Sequence, residues 1–219
     1  MMYMKLRKSY KLSDRFTIRN LESILKILDD VKPVLIGKIA IAIYEHYYSL
    51  RYNRRFKYIE LAISKHKKKH IKEILYNPTY TQETKYIEEI IFNEPDGNIE
   101  IIYENSPSVS ILFKDKKIPY NEIELKIGKK KKIKLYVAKL EYLYVDNIFT
   151  YLNEKEKQKD FYSIKVLGYL MKKYSYDKEL LENIFNEYSK KYPEYSLEAR
   201  NIMEKILKEV KKSDILDIL

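Results

Sequence analysis

The first half of the chain alternates between apolar spacings typical of helices and short apolar runs typical of strands. Residues 17–30 carry five apolar side chains at helical spacing, which predicts a first helix. Val34–Ile36 then predicts a short buried strand, and Gly37 opens a second helix that runs to about residue 50. Residues 56–63 alternate between apolar and polar positions, which indicates a second strand. A basic helix, KHKKKHIKEIL, is expected after it.

The middle of the chain predicts two β-hairpins. In the first, 85–92 and 99–103 flank the turn sequence NEPDGN, and in the second, 122–127 and 133–137 flank GKKKK. A further apolar run, SVSILF, is compatible with a strand or a short helix. The first 138 residues therefore read as one mixed α/β domain.

From residue 139 onwards the pattern becomes helical. The expected helices are 139–153, 160–174, 177–191 and 196–210. We therefore predict an α+β fold, in which an α/β domain of residues 1–138 precedes a helical domain of residues 139–219.

The charge balance is strongly basic. Forty-three Lys and Arg against 32 Asp and Glu give a net charge of +11 and a pI near 9.3. Such an excess favours polyanions, because Lys and Arg neutralise phosphates and release their counterions. A solvated, Lys-rich surface on a protein from a hot or A·T-rich source explains the same composition. Charge alone leaves both interpretations open.

Composition also excludes several classes of protein. The chain has no Cys, so it has no disulfide, no thiol nucleophile and no thiolate metal site. It contains no apolar window long enough to span a membrane and no signal-peptide core at its start. We therefore expect a cytoplasmic protein without a membrane partner. P-loop, GxGxxG, HExxH and GxSxG motifs are absent from the sequence.

Two motifs in the first half resemble those of the nucleotidyltransferase superfamily. LIGKIAIAIY, residues 35–44, resembles the signature LIGGxAxxxY, and RRFKYIELAI, residues 54–63, resembles RxTxDIDLxV. IEIIYE places Glu100 where a third carboxylate usually follows on a later strand. The pattern is most similar to minimal nucleotidyltransferases and AbiEii-type toxin proteins.

The second half continues the resemblance. VAKLEYLYVDN, residues 137–147, is similar to VxSxEDLIxxK, and Lys159–Asp160 matches a Lys-Asp pair that heads a helix. Asn147 stands where these proteins usually have Lys. The resemblance spans about residues 31 to 167.

This resemblance implies a carboxylate site for Mg²⁺. Residues i and i+2 of a strand share one face, and Mg²⁺ prefers carboxylate oxygens together with nucleotide phosphates. Glu60 and Glu100 would be the catalytic and metal-binding residues, each one methylene longer than the usual Asp. The first carboxylate is replaced by Tyr58, whose neutral phenol does not ligate Mg²⁺. The cofactor is Mg²⁺ if the chain is active, and none otherwise.

The resemblance also implies where phosphates would bind. A Gly-rich turn before a helix lets the backbone approach a triphosphate. Here Gly37 is kept and the second Gly is Lys38, while Arg54, Arg55 and Tyr58 border the expected cleft. Two basic clusters are candidates for nucleic-acid binding: Lys67, Lys68 and Lys69, and Lys130 and Lys131.

Three functions are compatible with these features. The first is a degenerate nucleotidyltransferase-like protein that binds a nucleotide, RNA or an antitoxin-like protein partner with little or no transfer. The second is an active Mg²⁺-dependent, toxin-type nucleotidyltransferase that modifies RNA or protein. The third is a non-catalytic structural or regulatory interaction module.

Overall fold

A computed structural model gives the fold. The residues that it describes are 4–5, 21, 24–26, 28–48, 50, 59–63, 67–75, 78–83, 87–94, 97–104, 118–127, 131–153 and 161–216. The chain divides into two compact units, Met1–Ala138 and Lys139–Leu219.

The first unit is built on one mixed sheet. Its described strands are β1 (Met4–Lys5), β2 (Val34–Leu35), β3 (Ile59–Ala62), β4 (Pro78–Glu83), β5 (Ile87–Glu94), β6 (Gly97–Glu104), β7 (Tyr120–Ile127) and β8 (Lys131–Ala138). They lie in the order β1-β7-β8-β2-β3-β6-β5-β4. The pairs β1–β7, β2–β8 and β3–β6 are parallel, and the other neighbours are antiparallel. The two predicted hairpins are β5–β6 and β7–β8.

The described part of this unit also contains helical residues at 21 and 24–26, a 3₁₀ turn at Asp29–Val31, and the helices α1 (Gly37–Tyr47) and α2 (Lys68–Ile74). Helix α1 buries a stripe of apolar side chains, including Ile39, Ala40 and Ile43. Tyr44 extends this stripe with a polar tip: its hydroxyl donates to the Ala138 carbonyl at 3.0 Å and accepts from Asn121 Nδ2 at 2.9 Å. These bonds fix α1 against the ends of β7 and β8, and so fix the turn from which α1 begins.

The second unit is helical. Its described helices are α3 (Leu140–Asn153), α4 (Phe161–Tyr174), α5 (Lys178–Lys191), α6 (Ser196–Glu209) and the short α7 (Ser213–Leu216). Helix α5 has an Asp177 N-cap, whose carboxylate accepts from the Leu180 N–H at 3.0 Å. The buried Glu141 accepts the Asp177 N–H at 2.8 Å, so one carboxylate of α3 holds the start of α5.

The predicted α+β class is confirmed, because a mixed sheet with helices precedes an all-helical region. The four long C-terminal helices lie within one residue of their expected bounds. The predicted end of α1 near residue 50 was too late, since the helix ends at Tyr47. Strands β1 and β4 were not anticipated. The SVSILF segment lies outside the described residues.

No helix in the described part of the chain has the length and apolar character that crossing a membrane requires.

Candidate functional site

The turn from β2 into α1 has a backbone that only glycine adopts readily. Ile36 is extended, and Gly37 has a φ of +58°. This left-handed conformation costs an ordinary L-residue about 1–2 kcal/mol. A Cβ at Gly37 would also overlap the carboxylate of Glu60. Gly37 is therefore favoured by its own conformation, and any other residue there would also have to displace the Glu60 carboxylate.

Strand β3 brings Glu60 to this turn. Because β3 runs antiparallel to β2, the Ile36 N–H donates to the Glu60 carbonyl at 3.1 Å, directly beside Gly37. The Glu60 side chain then accepts the Lys38 backbone N–H at its Oε2, at 2.6 Å. Ile36, the residue at the N-cap position, makes no side-chain cap. Glu60 thus satisfies a helix amide that would otherwise lack an intrahelical partner, and its charge lies at the positive end of α1.

Glu100 lies beside Glu60 on the neighbouring strand. Strands β3 and β6 are parallel, with Glu60 in register with Glu100. Residues in register on adjacent strands project from the same face of a sheet. Both side chains are partly exposed, whereas Ile59, Leu61 and Ile101 on the opposite face are buried. The strand pairing therefore places the two predicted carboxylates side by side.

This corner offers two carboxylates to a divalent cation, and no third described ligand accompanies them. Glu60 and Glu100 offer the carboxylate oxygens that Mg²⁺ prefers, and they are the residues that would hold the ion. Within the ranges that the structure describes, no group of three His, Asp or Glu side chains is close enough to ligate a metal. Bound there, Mg²⁺ would supply a positive charge for nucleotide phosphates.

Several predicted site residues lie outside this corner or outside the description. The Lys38 side chain is exposed, although its backbone N–H is bonded to Glu60. Tyr58, Arg54, Arg55 and Lys130 lie outside the described residues.

The predicted basic helix begins near Lys67, which is half-buried, and continues through the exposed Lys69. The backbones of Lys68 and Lys131 begin α2 and β8, and their side chains are outside the description. Asn147, which replaces the usual Lys of the resemblance, donates to the Leu143 carbonyl of its own helix at 2.8 Å.

The β7–β8 hairpin carries paired charges. Register across β7, β8, β2 and β3 places Glu122 and Glu124 on the same sheet face as Glu60. The Lys134 Nζ lies 2.6 Å from Glu122 Oε2, and the Lys132 Nζ lies 2.5 Å from Glu124 Oε1. The side-chain hydrogen bond to Glu122 is the main reason that the pKa of Lys134 is raised. These two lysines therefore add little net positive charge to that face.

Sequence reasoning missed the bond between Glu60 and the Lys38 amide. The alternating pattern of residues 56–63 gives the face of Glu60, but the bond depends on the register between β3 and β2. The available sequence signal was the lone Gly37 between a strand and a helix, because such a Gly often has a left-handed backbone.

Comparison with known proteins yields one distant structural likeness. No protein-family model matches the chain, and no curated protein matches it. A crystal structure described as an antigenic nucleotidyltransferase-like protein from Paracoccidioides brasiliensis is similar, with 14% sequence identity and a TM-score of 0.43. The match covers 92% of this chain and 99% of that chain. A likeness at this level carries nothing about substrate or chemistry.

Proposed function

We propose that this chain is a nucleotidyltransferase-like protein that binds a nucleotide at the Gly37 corner and transfers it poorly or not at all. The observation that supports this proposal is the bond from the Lys38 N–H to the Glu60 carboxylate at 2.6 Å. In a site of this class, the amides at the start of the helix receive phosphate and the carboxylates receive metal. Here the Glu60 carboxylate, expected to bind metal, accepts the hydrogen bond of the Lys38 amide, expected to bind phosphate.

The electrostatics of the corner support weak transfer. A phosphate approaching the start of α1 meets the Glu60 carboxylate at the amide it would use. The phosphate and the Glu60 carboxylate would repel each other, and a cation between them would offset this repulsion. A nucleotide would therefore bind with Mg²⁺ and would have to displace or bridge Glu60. Tyr58 in place of the first carboxylate further reduces the ligands for a two-metal reaction.

Binding is tested first, without any assumed acceptor. Each of the four nucleoside triphosphates is titrated with and without Mg²⁺, and thermal unfolding is followed. A ligand at about 100 times its Kd adds about 2.7 kcal/mol to the stability of the folded state. Stabilisation that requires Mg²⁺ and is lost in Glu100→Gln supports the proposal. Glu204→Gln, an exposed carboxylate of α6, is the matched control and should respond like the wild type. No shift with any triphosphate in either condition would refute nucleotide binding.

Transfer is tested separately with radiolabelled triphosphates, Mg²⁺ or Mn²⁺, and total RNA or cell protein as acceptor. The proposal expects at most a trace of labelled product above the level of a Glu60→Ala, Glu100→Ala double variant. Multiple-turnover labelling that the double variant does not show would establish an active enzyme instead.

The active enzyme is the second candidate because of one specific observation. Glu60 and Glu100 are in register on adjacent parallel strands, which is the side-by-side placement that metal-dependent transfer requires. In that case Gly37 and Lys38 would hold phosphates, and an incoming metal would draw Glu60 away from the amide.

A further inference from the structure

Packing in the second unit brings together two lysine-rich helix ends that are far apart in the sequence. Lys172, in the last turn of α4, donates from its Nζ to the Lys208 carbonyl at 2.8 Å and to the Val210 carbonyl at 3.3 Å. Both carbonyls belong to the end of α6 and the residue after it. The C-terminal ends of α4 and α6 therefore lie side by side.

This junction carries a concentrated positive charge. The exposed lysines on it are Lys172, Lys173, Lys208, Lys211 and Lys212. Among the described residues of this junction, two carboxylates oppose them, Glu209 and Asp214, and Asp214 Oδ2 already accepts the Lys211 backbone N–H at 2.7 Å. Five ammonium groups against these two carboxylates leave an excess of three positive charges among the described residues. The negative ends of the two helix dipoles offset about one of these charges.

An exposed aromatic ring follows Lys172 and Lys173 at the end of the same helix. Tyr174, which ends α4, is 37% exposed. The Lys173 ammonium lies 4.9 Å from the centre of the Tyr174 ring and 5.8 Å from that of Tyr169. The side-chain hydrogen bond with Tyr174 is the main cause that raises the pKa of Lys173. We call Lys172, Lys173, Tyr174, Lys208, Lys211 and Lys212 the basic–aromatic patch.

We infer that the basic–aromatic patch binds single-stranded nucleic acid. Lysine ammonium groups neutralise successive phosphates, and an exposed ring offers a surface on which an unpaired base stacks. Stacking does not depend on base identity, so the patch would be tolerant of sequence. The bases of a duplex are already stacked on each other, so a duplex would gain only the phosphate contacts.

A membrane surface is a poorer match to the patch. Interfacial binding needs several apolar side chains that insert beside the cationic ones. Among the described residues, the other large exposed apolar side chain is Leu197, at the start of α6. Lys208 is eleven positions farther along the helix, which is about 16 Å along the axis. Tyr174 alone would not anchor this surface in lipid.

This inference does not rest on the Gly37 corner, because the patch is contained in the second unit. Failure of nucleotide binding would leave it intact, and failure of the patch would leave the nucleotide proposal intact. Patch variants should therefore show the same response to mononucleotides with Mg²⁺ as the wild type.

The test is fluorescence anisotropy of the full chain with a labelled, mixed-sequence RNA oligonucleotide of about 12 nucleotides. Lys211→Glu/Lys212→Glu should weaken binding by at least about tenfold more than the control Lys26→Glu/Lys190→Glu. The control changes the net charge equally at two exposed lysines that are not part of the patch. If about three phosphates are neutralised, the logarithm of the association constant should fall with the logarithm of the salt concentration with a slope near −2. This slope should be shallower for the patch variant.

The aromatic part of the inference has its own variants. Tyr174→Ala should weaken RNA binding by roughly 5- to 150-fold, the range for loss of one base–aromatic stack, whereas Tyr174→Phe should retain it. The duplex of the same sequence should be insensitive to Tyr174→Ala.

Three results would overturn the inference. Equal losses in the patch and control double variants would mean attraction to net charge alone. Equal effects of Tyr174→Ala on single strand and duplex would exclude stacking. Patch-dependent binding to phosphatidylserine vesicles, with RNA binding unaffected by the patch variants, would identify a lipid surface as the partner.

Discussion

The contact between Gly37 and Glu60 predicts a large and separable effect of Gly37→Ala. The left-handed backbone of Gly37 costs an alanine about 1–2 kcal/mol. The new Cβ also displaces the Glu60 carboxylate, so the bond to the Lys38 N–H is lost. Loss of an N-cap typically costs about 1 kcal/mol. We therefore expect Gly37→Ala to reduce the free energy of unfolding by about 2–3 kcal/mol.

A double-mutant cycle separates the two contributions. In a Glu60→Ala background the carboxylate is absent, so Gly37→Ala should cost only the backbone part, about 1–2 kcal/mol. The expected coupling is thus about 1 kcal/mol, above the 0.3–0.5 kcal/mol within which independent sites add. Lys38→Ala is the control: it keeps the backbone N–H that Glu60 accepts, so its effect should stay within about 0.5 kcal/mol.

The assay is native-state hydrogen exchange of the α1 amides, because two compact units need not unfold together. Far-UV circular dichroism during urea unfolding gives the global value alongside it. If Gly37→Ala costs the same in both backgrounds, the carboxylate does not cap the helix. The physical basis of the proposed function would then be removed.

Two further predictions concern the second unit. Burial raises the pKa of Asp146, although the 2.6 Å hydrogen bond from Tyr188 and the charge of Lys191 oppose the shift. A carboxyl whose folded pKa is raised stabilises the protein most below its unfolded pKa and loses that contribution as the pH rises through the folded pKa. The Asp146→Asn variant should therefore be more stable than the wild type at neutral pH, and this difference should disappear towards about pH 4. Urea unfolding across this pH range measures the difference. A difference that grows in acid would contradict a raised pKa of Asp146. Gly168→Ala should destabilise the protein by about 1 kcal/mol, because its Cβ would lie 2.5 Å from Ile206 Cγ2 and this overpacking outweighs the gain in helix propensity. In an Ile206→Ala background the same change should stabilise the protein by up to about 1 kcal/mol. Thermal unfolding measures both effects, and the same sign in both backgrounds would refute this packing argument.

Elements with local signals were predictable from the sequence. The turn NEPDGN and its flanking alternation specify the β5–β6 hairpin, and the apolar spacing of the C-terminal half specifies its four long helices. Strands β1 and β4 lack such signals. Two residues of β1 pair with β7, more than a hundred positions away, and β4 is a polar segment that begins with Pro78 and gains its conformation by pairing with β5. Pairing of this kind is decided by tertiary context rather than by propensity.

The candidate sites also depend partly on local sequence signals and partly on tertiary packing. The alternation around Glu60 and Glu100 predicts an outward carboxylate on each strand, and the strand order of the sheet makes them neighbours. The basic–aromatic patch was not foreseeable, because its two halves are about 35 residues apart and only the packing of α4 on α6 unites them. The available signal was a lysine pair at the end of each helix, which is equally typical of lysines that stabilise helix C-termini.

The length of the Glu60 side chain decides whether its carboxylate reaches the start of α1. An Asp at this position is shorter by one carbon–carbon bond, about 1.5 Å, so it would not span the present 2.6 Å contact with the Lys38 amide unless the strand moved. The longer Glu closes that distance and places its charge at the positive end of α1. Glu60 therefore stabilises the turn from β2 into α1 without a ligand. Under the proposed function, a nucleotide phosphate at this turn would have to compete with Glu60 for the Lys38 amide.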